Sequence, residues 1–233
     1  MTDTPTPLLP HCATCPYDWS ERWCRNAKGK APADCPSLRM RDLAETSMAC
    51  MAAEPCGEFA RQASREEASC YGGREAGYGA VRPLKPRIVE IVEFARRMGY
   101  GRLGLAFCIG LRAEAGVVNE ILATNGFAVA SVGCKIGGKA KSLLGLEPAE
   151  QVDPTAAHET MCNPVFQALA LNEARTEFNI LLGLCVGHDS LFFKHATAMG
   201  TVLAVKDRLL GHNPLAAVYH YDSYCRYLKE PLP

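Results

Sequence analysis

Residues 102–134 read RLGLAFCIGLRAEAGVVNEILATNGFAVASVGC, and the change of period inside this stretch decides the fold. Arg102 to Ile109 is a short apolar run of the kind a buried strand requires. Arg112 to Thr124 switches to helical spacing and is closed by Asn125 and Gly126, residues that end helices. Phe127 to Cys134 returns to a strand pattern. Strand, helix, strand is the unit that joins two parallel strands through a crossover.

The alternation continues in both directions. Upstream, Ile88, Ile91, Val92, Ala95 and Met98 fall at helical spacing after Pro86, and Gly99 stops that helix. Downstream, beyond a Gly/Lys-rich loop, Asn163 and Pro164 open a helix as N-cap and first-turn proline, running to about Arg175. Phe178 to Val186 reads as the third strand. Asp189 caps a helix through about Ala198, Thr201 to Lys206 is the fourth strand, and Asn213 with Pro214 opens a last helix to about Leu228. The expectation is an α/β fold: a small doubly wound, mostly parallel, Rossmann-like sheet of about four strands with helices on both faces.

Cysteine spacing divides the chain. Seven of the 12 cysteines precede residue 80 at short intervals, and five follow it, about one per element. We expect a Cys-rich metal-binding segment with helices over residues 1–70, a Gly/Pro-rich linker over 71–86 and the α/β domain over 87–233. Two helical patterns, Leu38 to Ala53 and Gly57 to Ser69, flank Pro55. Cys50, Cys56 and Cys70 lie on them beside Met40, Leu43, Met48 and Met51, which predicts burial against a helix partner.

Composition narrows the class. The chain has 233 residues, 25 basic and 25 acidic side chains, and 48% hydrophobic residues. Balanced charge argues against electrostatic binding to nucleic acid or anionic lipid. No stretch approaches the roughly 20 apolar residues of a membrane span. Met1 to Pro10 carries Asp3 and three prolines rather than a basic, apolar export segment, so the expected setting is a reducing cytoplasm. Thiols kept reduced there point to a metal site, redox or nucleophilic chemistry, or packing.

Cys12, Cys15, Cys24 and Cys35 form C-x2-C-x8-C-x10-C in a region with few apolar residues to build a core. Four thiolates suit tetrahedral zinc or a 4Fe-4S iron–sulfur cluster, and the prolines after Cys15 and Cys35 keep the cluster open. His11 is a further ligand candidate. In the α/β domain, Cys108, Cys134 and Cys185 fall at the ends of the first three strands, and Cys162 immediately precedes the Asn163-Pro164 helix start. Open α/β sheets bind ligands outside the carboxyl ends of their strands, so these four thiols are aimed at one rim; the alternative is that each is a small buried hydrophobe.

Gly187-His-Asp-Ser-Leu191 and Gly211-His-Asn-Pro-Leu215 share G-H-[D/N]-x-L, while Cys162-Asn-Pro puts Cys where those have His. Each sets a ligand-type side chain just before a helix start, where negative charge is favoured. His188 and His212 are thus candidates to move protons, against a plain hydrogen-bonded role. Lys206 and Asp207 add a charged pair to the rim or to the surface. Gly99-x-Gly101-x-x-Gly104 precedes its strand where a dinucleotide fingerprint must follow one, and Gly133-x4-Gly138-Lys139 is followed by Ala140 in place of Ser or Thr, so neither is read as a nucleotide site.

The leading Cys quartet, Ala106-Phe-Cys-Ile-Gly-Leu111, Cys162-Asn-Pro164, Gly183-Leu-Cys-Val-Gly-His-Asp-Ser-Leu191 and Lys206-Asp-Arg208 with Gly211-His-Asn-Pro214 together resemble a family of bacterial and archaeal proteins, domain of unknown function 1847. The resemblance spans nearly the whole chain and implies a metal role for Cys12, Cys15, Cys24 and Cys35. It implies no reaction. The resulting expectation is a metalloprotein with zinc or an iron–sulfur cluster on the quartet and a second thiolate-rich site at Cys108, Cys134, Cys162 and Cys185. Its partners would be a small anionic molecule and an electron donor. The rivals are a binding or sensing module with structural zinc, and an enzyme using Cys185 as nucleophile with His188. Tyr219, Tyr221, Tyr224 and Tyr227 either cover the core or form a homodimer face.

Overall fold

The computed structural model describes residues 9–232. The expectation about an export segment rests largely on residues 1–8, outside the described range. The chain divides into two compact units, the first ending at Arg65 and the second beginning at Glu66.

The first unit holds α1 (Pro36–Arg39), α2 (Arg41–Ala52) and most of α3 (Cys56–Ser69). The expected single helix from Leu38 is interrupted at Met40, whose φ of -116° and ψ of 46° leave the helical region. No hydrophobic side chain of residues 9–65 is buried. Leu43, Met48, Met51 and Cys50 are exposed and Cys56 is half-buried, so the expected packing of α2 against a helix partner is absent among the described residues; of the three cysteines only Cys70 is buried.

The second unit opens with a two-residue antiparallel pair, β1 (Tyr71–Gly72) and β2 (Arg82–Pro83), inside the segment expected as linker. It is held in place: Leu84 N–H donates to the Cys70 carbonyl at 2.8 Å, and Lys85 pairs with Glu93 at 2.6 Å and Glu66 at 3.5 Å. There follow α4 (Arg87–Arg97), β3 (Arg102–Phe107), α5 (Arg112–Thr124), β4 (Ala128–Gly133), α6 (Pro164–Glu173), β5 (Phe178–Leu184), α7 (His188–His195), β6 (Gly200–Val205) and α8 (Leu215–Tyr219). Strands β3 to β6 form one parallel sheet in the order β4-β3-β5-β6, with helices around it. From β3 the chain first moves outward to β4 and then returns past β3 to β5, so the direction of winding reverses between β3 and β5. Ligands of open α/β sheets bind at the carboxyl edge of such a reversal.

Leu103, Leu105 and Ala106 of β3 and Ile180 and Leu181 of β5 are almost fully buried, and Ala168, Leu171 and Phe192 of α6 and α7 pack with Ala106, Leu181 and Leu184 on one face of the sheet. Burying each large apolar side chain contributes about 1.5–3 kcal/mol. Two expectations about helix limits change. Asp189 lies in the first turn of α7 rather than at its cap, which is Gly187. The last helix stops at Tyr219 rather than about Leu228: Ser223 Oγ donates to the His220 carbonyl, and the four tyrosines from Tyr219 to Tyr227 are exposed, so no buried face supports a longer helix. Among the described residues no helix is long and apolar enough to cross a membrane.

Candidate functional site

The rim at the carboxyl edge of the sheet is assembled by three local devices. The first is a long excursion between β4 and α6 that returns on itself. Met161 N–H donates to the Lys139 carbonyl at 2.8 Å, Lys141 N–H to that of Glu159 at 2.9 Å, and Asn163 N–H to that of Cys134 at 2.8 Å. This closure brings Cys162 back over Cys134, and their sulfurs stand 3.6 Å apart. Asn163 then caps α6, its Oδ1 accepting from Phe166 N–H at 2.9 Å, as its sequence position suggests.

The second device is a break in β5. The β5–β6 register shifts on both sides of Leu182, and Gly183 adopts a φ of 68°. A side chain there is excluded twice: the left-handed conformation is costly for other residues, and a Cβ would fall 2.1 Å from Leu111 Cδ1. The same missing Cβ would lie 3.9 Å from that of Cys108, so β5 closely approaches Cys108 two residues before Cys185.

The third device is Gln167, completely buried one turn into α6. Its Nε2 donates to the carbonyls of Phe107 at 3.2 Å and Val132 at 2.7 Å, tying together the ends of β3 and β4 that carry Cys108 and Cys134. Its Oε1 has no partner.

Electrostatics separate the four thiols. Cys162 is held well below the ordinary thiol range, first by its hydrogen bond with Cys134, then by His188, with Lys135 adding positive charge; partial burial opposes this. Cys134 is pushed upward by the same shared hydrogen bond and by burial, which outweigh the Ile109 N–H donated to its sulfur at 3.3 Å. Of the two, Cys162 is the thiol whose ionisation its surroundings favour and Cys134 the one whose ionisation they oppose. Cys185 belongs to a different partner: Arg208 Nη2 donates to its Sγ at 3.1 Å. The same guanidinium lies within electrostatic reach of Cys108 and Cys162.

His188 bears on Cys162; to Cys185, the thiol its sequence spacing suggested, it is linked by a backbone bond, His188 N–H to the Cys185 carbonyl at 2.9 Å. His212 has its Nδ1 occupied by Asp207 N–H at 3.1 Å, which leaves the ring proton on Nε2. Lys206 reaches the turn after Cys108, its Nζ 3.6 Å from where a Gly110 Cβ would lie. Arg208, Lys135, Gln167 and the special role of Gly183 were not singled out by spacing; Lys206-Asp-Arg208 directly after a strand was the available signal for the first.

In the first unit, Cys12, Cys15, Cys24 and Cys35 line one concavity of about 280 Å³ together with His11. Arg22 braces its wall, donating from Nε to the Tyr17 carbonyl at 2.8 Å and from Nη2 to that of Cys15 at 3.3 Å. Trp23 N–H donates to the Lys30 carbonyl at 2.8 Å and Lys30 N–H to that of Glu21 at 2.7 Å, so Cys24 sits in a closed turn. The donor set suits a thiophilic metal, and the unit lacks an apolar core that would otherwise hold it. Neither set of cysteines is drawn closed: among the described residues no three His, Cys, Asp or Glu side chains stand at metal-holding spacing.

Fold and rim together define a doubly wound α/β protein with a thiol-lined carboxyl edge. The family described as Protein of unknown function (DUF1847) matches residues 35–203, and the chain belongs to it. It is 44% identical over 135 residues to the uncharacterized protein MJ0455 of Methanocaldococcus jannaschii, a match covering 58% of this chain and 67% of that protein. No solved structure matches.

Proposed function

We propose that the chain is a metal-binding, thiol-based redox or sulfur-handling protein that acts on a small anionic molecule at the carboxyl edge of its sheet. The Cys134–Cys162 pair, with sulfurs 3.6 Å apart, carries this reading. Cys162 is the nucleophile and Cys134 the second thiol. The Cys162 thiolate attacks an electrophilic sulfur, forming a mixed disulfide and expelling an anionic leaving group. The leaving group takes the His188 proton, and the freed imidazole accepts that of Cys134, which attacks the Cys162 sulfur, closing the Cys134–Cys162 disulfide and releasing the second thiolate. An external electron donor returns the pair to the dithiol with two electrons. Zinc or an iron–sulfur cluster on Cys12, Cys15, Cys24 and Cys35 would supply folding energy to the first unit.

A second reading, an iron–sulfur cluster on Cys108, Cys134, Cys162 and Cys185, is favoured by one observation: Cys108, Cys162 and Cys185 all lie within reach of the single Arg208 charge.

The test is reaction with Ellman's disulfide on protein purified without oxygen, after assay of metal and acid-labile sulfide. The thiol reading predicts a fast release of two thiolates assigned to Cys162 and Cys134, falling to one in Cys134→Ser. A fast phase that survives Cys162→Ser overturns it, and sulfide retained by the protein after Ser replacement of Cys12, Cys15, Cys24 and Cys35 favours the rim cluster.

A further inference from the structure

The chain leaves β6 into a turn built around Asp207. The Asp207 Oδ1 accepts N–H bonds from Leu209 at 3.1 Å and Leu210 at 2.8 Å, its own N–H donates to His212 Nδ1 at 3.1 Å, and its carbonyl accepts from His212 N–H at 2.8 Å. His212 is held at a φ of 65°, a left-handed conformation uncommon outside glycine. Four hydrogen bonds thus hold a turn that includes an unfavourable conformer. A strained turn of this kind is often retained for what it presents.

What it presents is Arg208. The side chain is exposed, and its Nη2 is hydrogen-bonded to Cys185 Sγ. Among the described residues no carboxylate pairs with it, so the fork of five guanidinium donors is spent on one sulfur. Lys206, two residues earlier, reaches the turn after Cys108 and adds a second cation to the same edge. Arginine's planar fork matches two oxygens on one centre, which a lysine cannot grip in the same way.

We propose that Arg208 selects the substrate at the rim, binding an anion with two oxygens on one centre, such as a carboxylate or an oxyanion of sulfur or phosphorus, beside the rim thiols. Its contact with Cys185 is then the ligand-free arrangement. This rests on reading the rim as the working site, and it adds the group that recognises the substrate.

Iodoacetate and iodoacetamide test it on the reduced full chain. Both reagents alkylate the same thiolate, so the ratio of their rates cancels the ionised fraction and reports the local preference for an anion. Rates are followed peptide by peptide, with exposed Cys50 as internal reference. The ratio at Cys185 is expected about fivefold above that at Cys50, on the order of one nearby unit charge. It should fall most of the way to the Cys50 value in Arg208→Gln, Lys206 retaining a remainder, and fall less in Arg208→Lys. A native ratio equal to that of Cys50, or one indifferent to Arg208→Gln, overturns the proposal. If Cys162 reacts fast while the Cys185 ratio ignores Arg208, only the selection role falls; if the ratio responds while Cys162 is sluggish, only the nucleophile assignment falls.

Discussion

The sulfur of Cys162 lies 3.6 Å from that of Cys134, although the two residues are 28 positions apart. Disulfide formation requires closure to about 2.05 Å, a movement within the reach of side-chain rotation when the backbone is already paired at the Asn163–Cys134 hydrogen bond. Diamide, accepting two electrons and two protons, is therefore expected to produce a Cys134–Cys162 disulfide before any other pair. Peptide mapping checks this; a first bond joining Cys185 to Cys108 would contradict the assigned pairing.

The first unit should depend on metal and the second should not. With no buried hydrophobic side chain in residues 9–65, a metal on Cys12, Cys15, Cys24 and Cys35 would be its main support. We expect about one zinc or one cluster per chain. Chelation or Cys24→Ser should abolish hydrogen-exchange protection at Trp23 and Lys30 while leaving β3 and β5 protected.

Gln167 should be costly to replace. Gln167→Met keeps the length and volume but leaves the Phe107 and Val132 carbonyls without their donor. Each unsatisfied buried group costs about 1–3 kcal/mol, so a loss of about 3 kcal/mol is expected in denaturant unfolding. Gln167→Glu should be worse, because an acceptor then faces two acceptors.

Glu66 gives the second unit an acid limit. Its side chain is only 7% exposed; burial raises its pKa, but the hydrogen bond from Arg97 at 2.8 Å and the charge of Lys85 prevail and hold it below the ordinary value. A depressed carboxyl stabilises the fold fully above its unfolded pKa of about 4.3 and loses that contribution as pH falls through the lower folded value. Glu66→Gln should cost about 2 kcal/mol at neutral pH. The difference from wild type should be flat above about pH 5 and shrink below about pH 4.

Much of this architecture is legible because burial writes itself into periodicity. The helix Arg112–Thr124 and the Asn163 cap stand where spacing and capping chemistry put them, and the four strands follow their apolar runs. The contacts inside the rim are less legible. Cys162 meets Cys134 through backbone bonds across the excursion between β4 and α6, and such bonds carry no side-chain signature. The spacing of three between Cys185 and His188 suggests that pair, and carries no sign that His188 also bears on Cys162 or that Arg208 donates to the Cys185 sulfur. The expected last helix to about Leu228 ends at Tyr219, and the tyrosines from Tyr219 to Tyr227, whose periodicity does not distinguish a core cover from a dimer face, are exposed.

The pH dependence of Cys162 alkylation tests the central claim most directly. Iodoacetamide rates at this one peptide, measured in the reduced full chain from about pH 4 to 9, report its thiolate fraction against the value of about 8.5 for a free thiol. The account predicts a rate that stays flat through neutral pH and falls only in the acid range, with His188→Ala moving the midpoint upward. A midpoint near the free-thiol value, unchanged by His188→Ala, would contradict it.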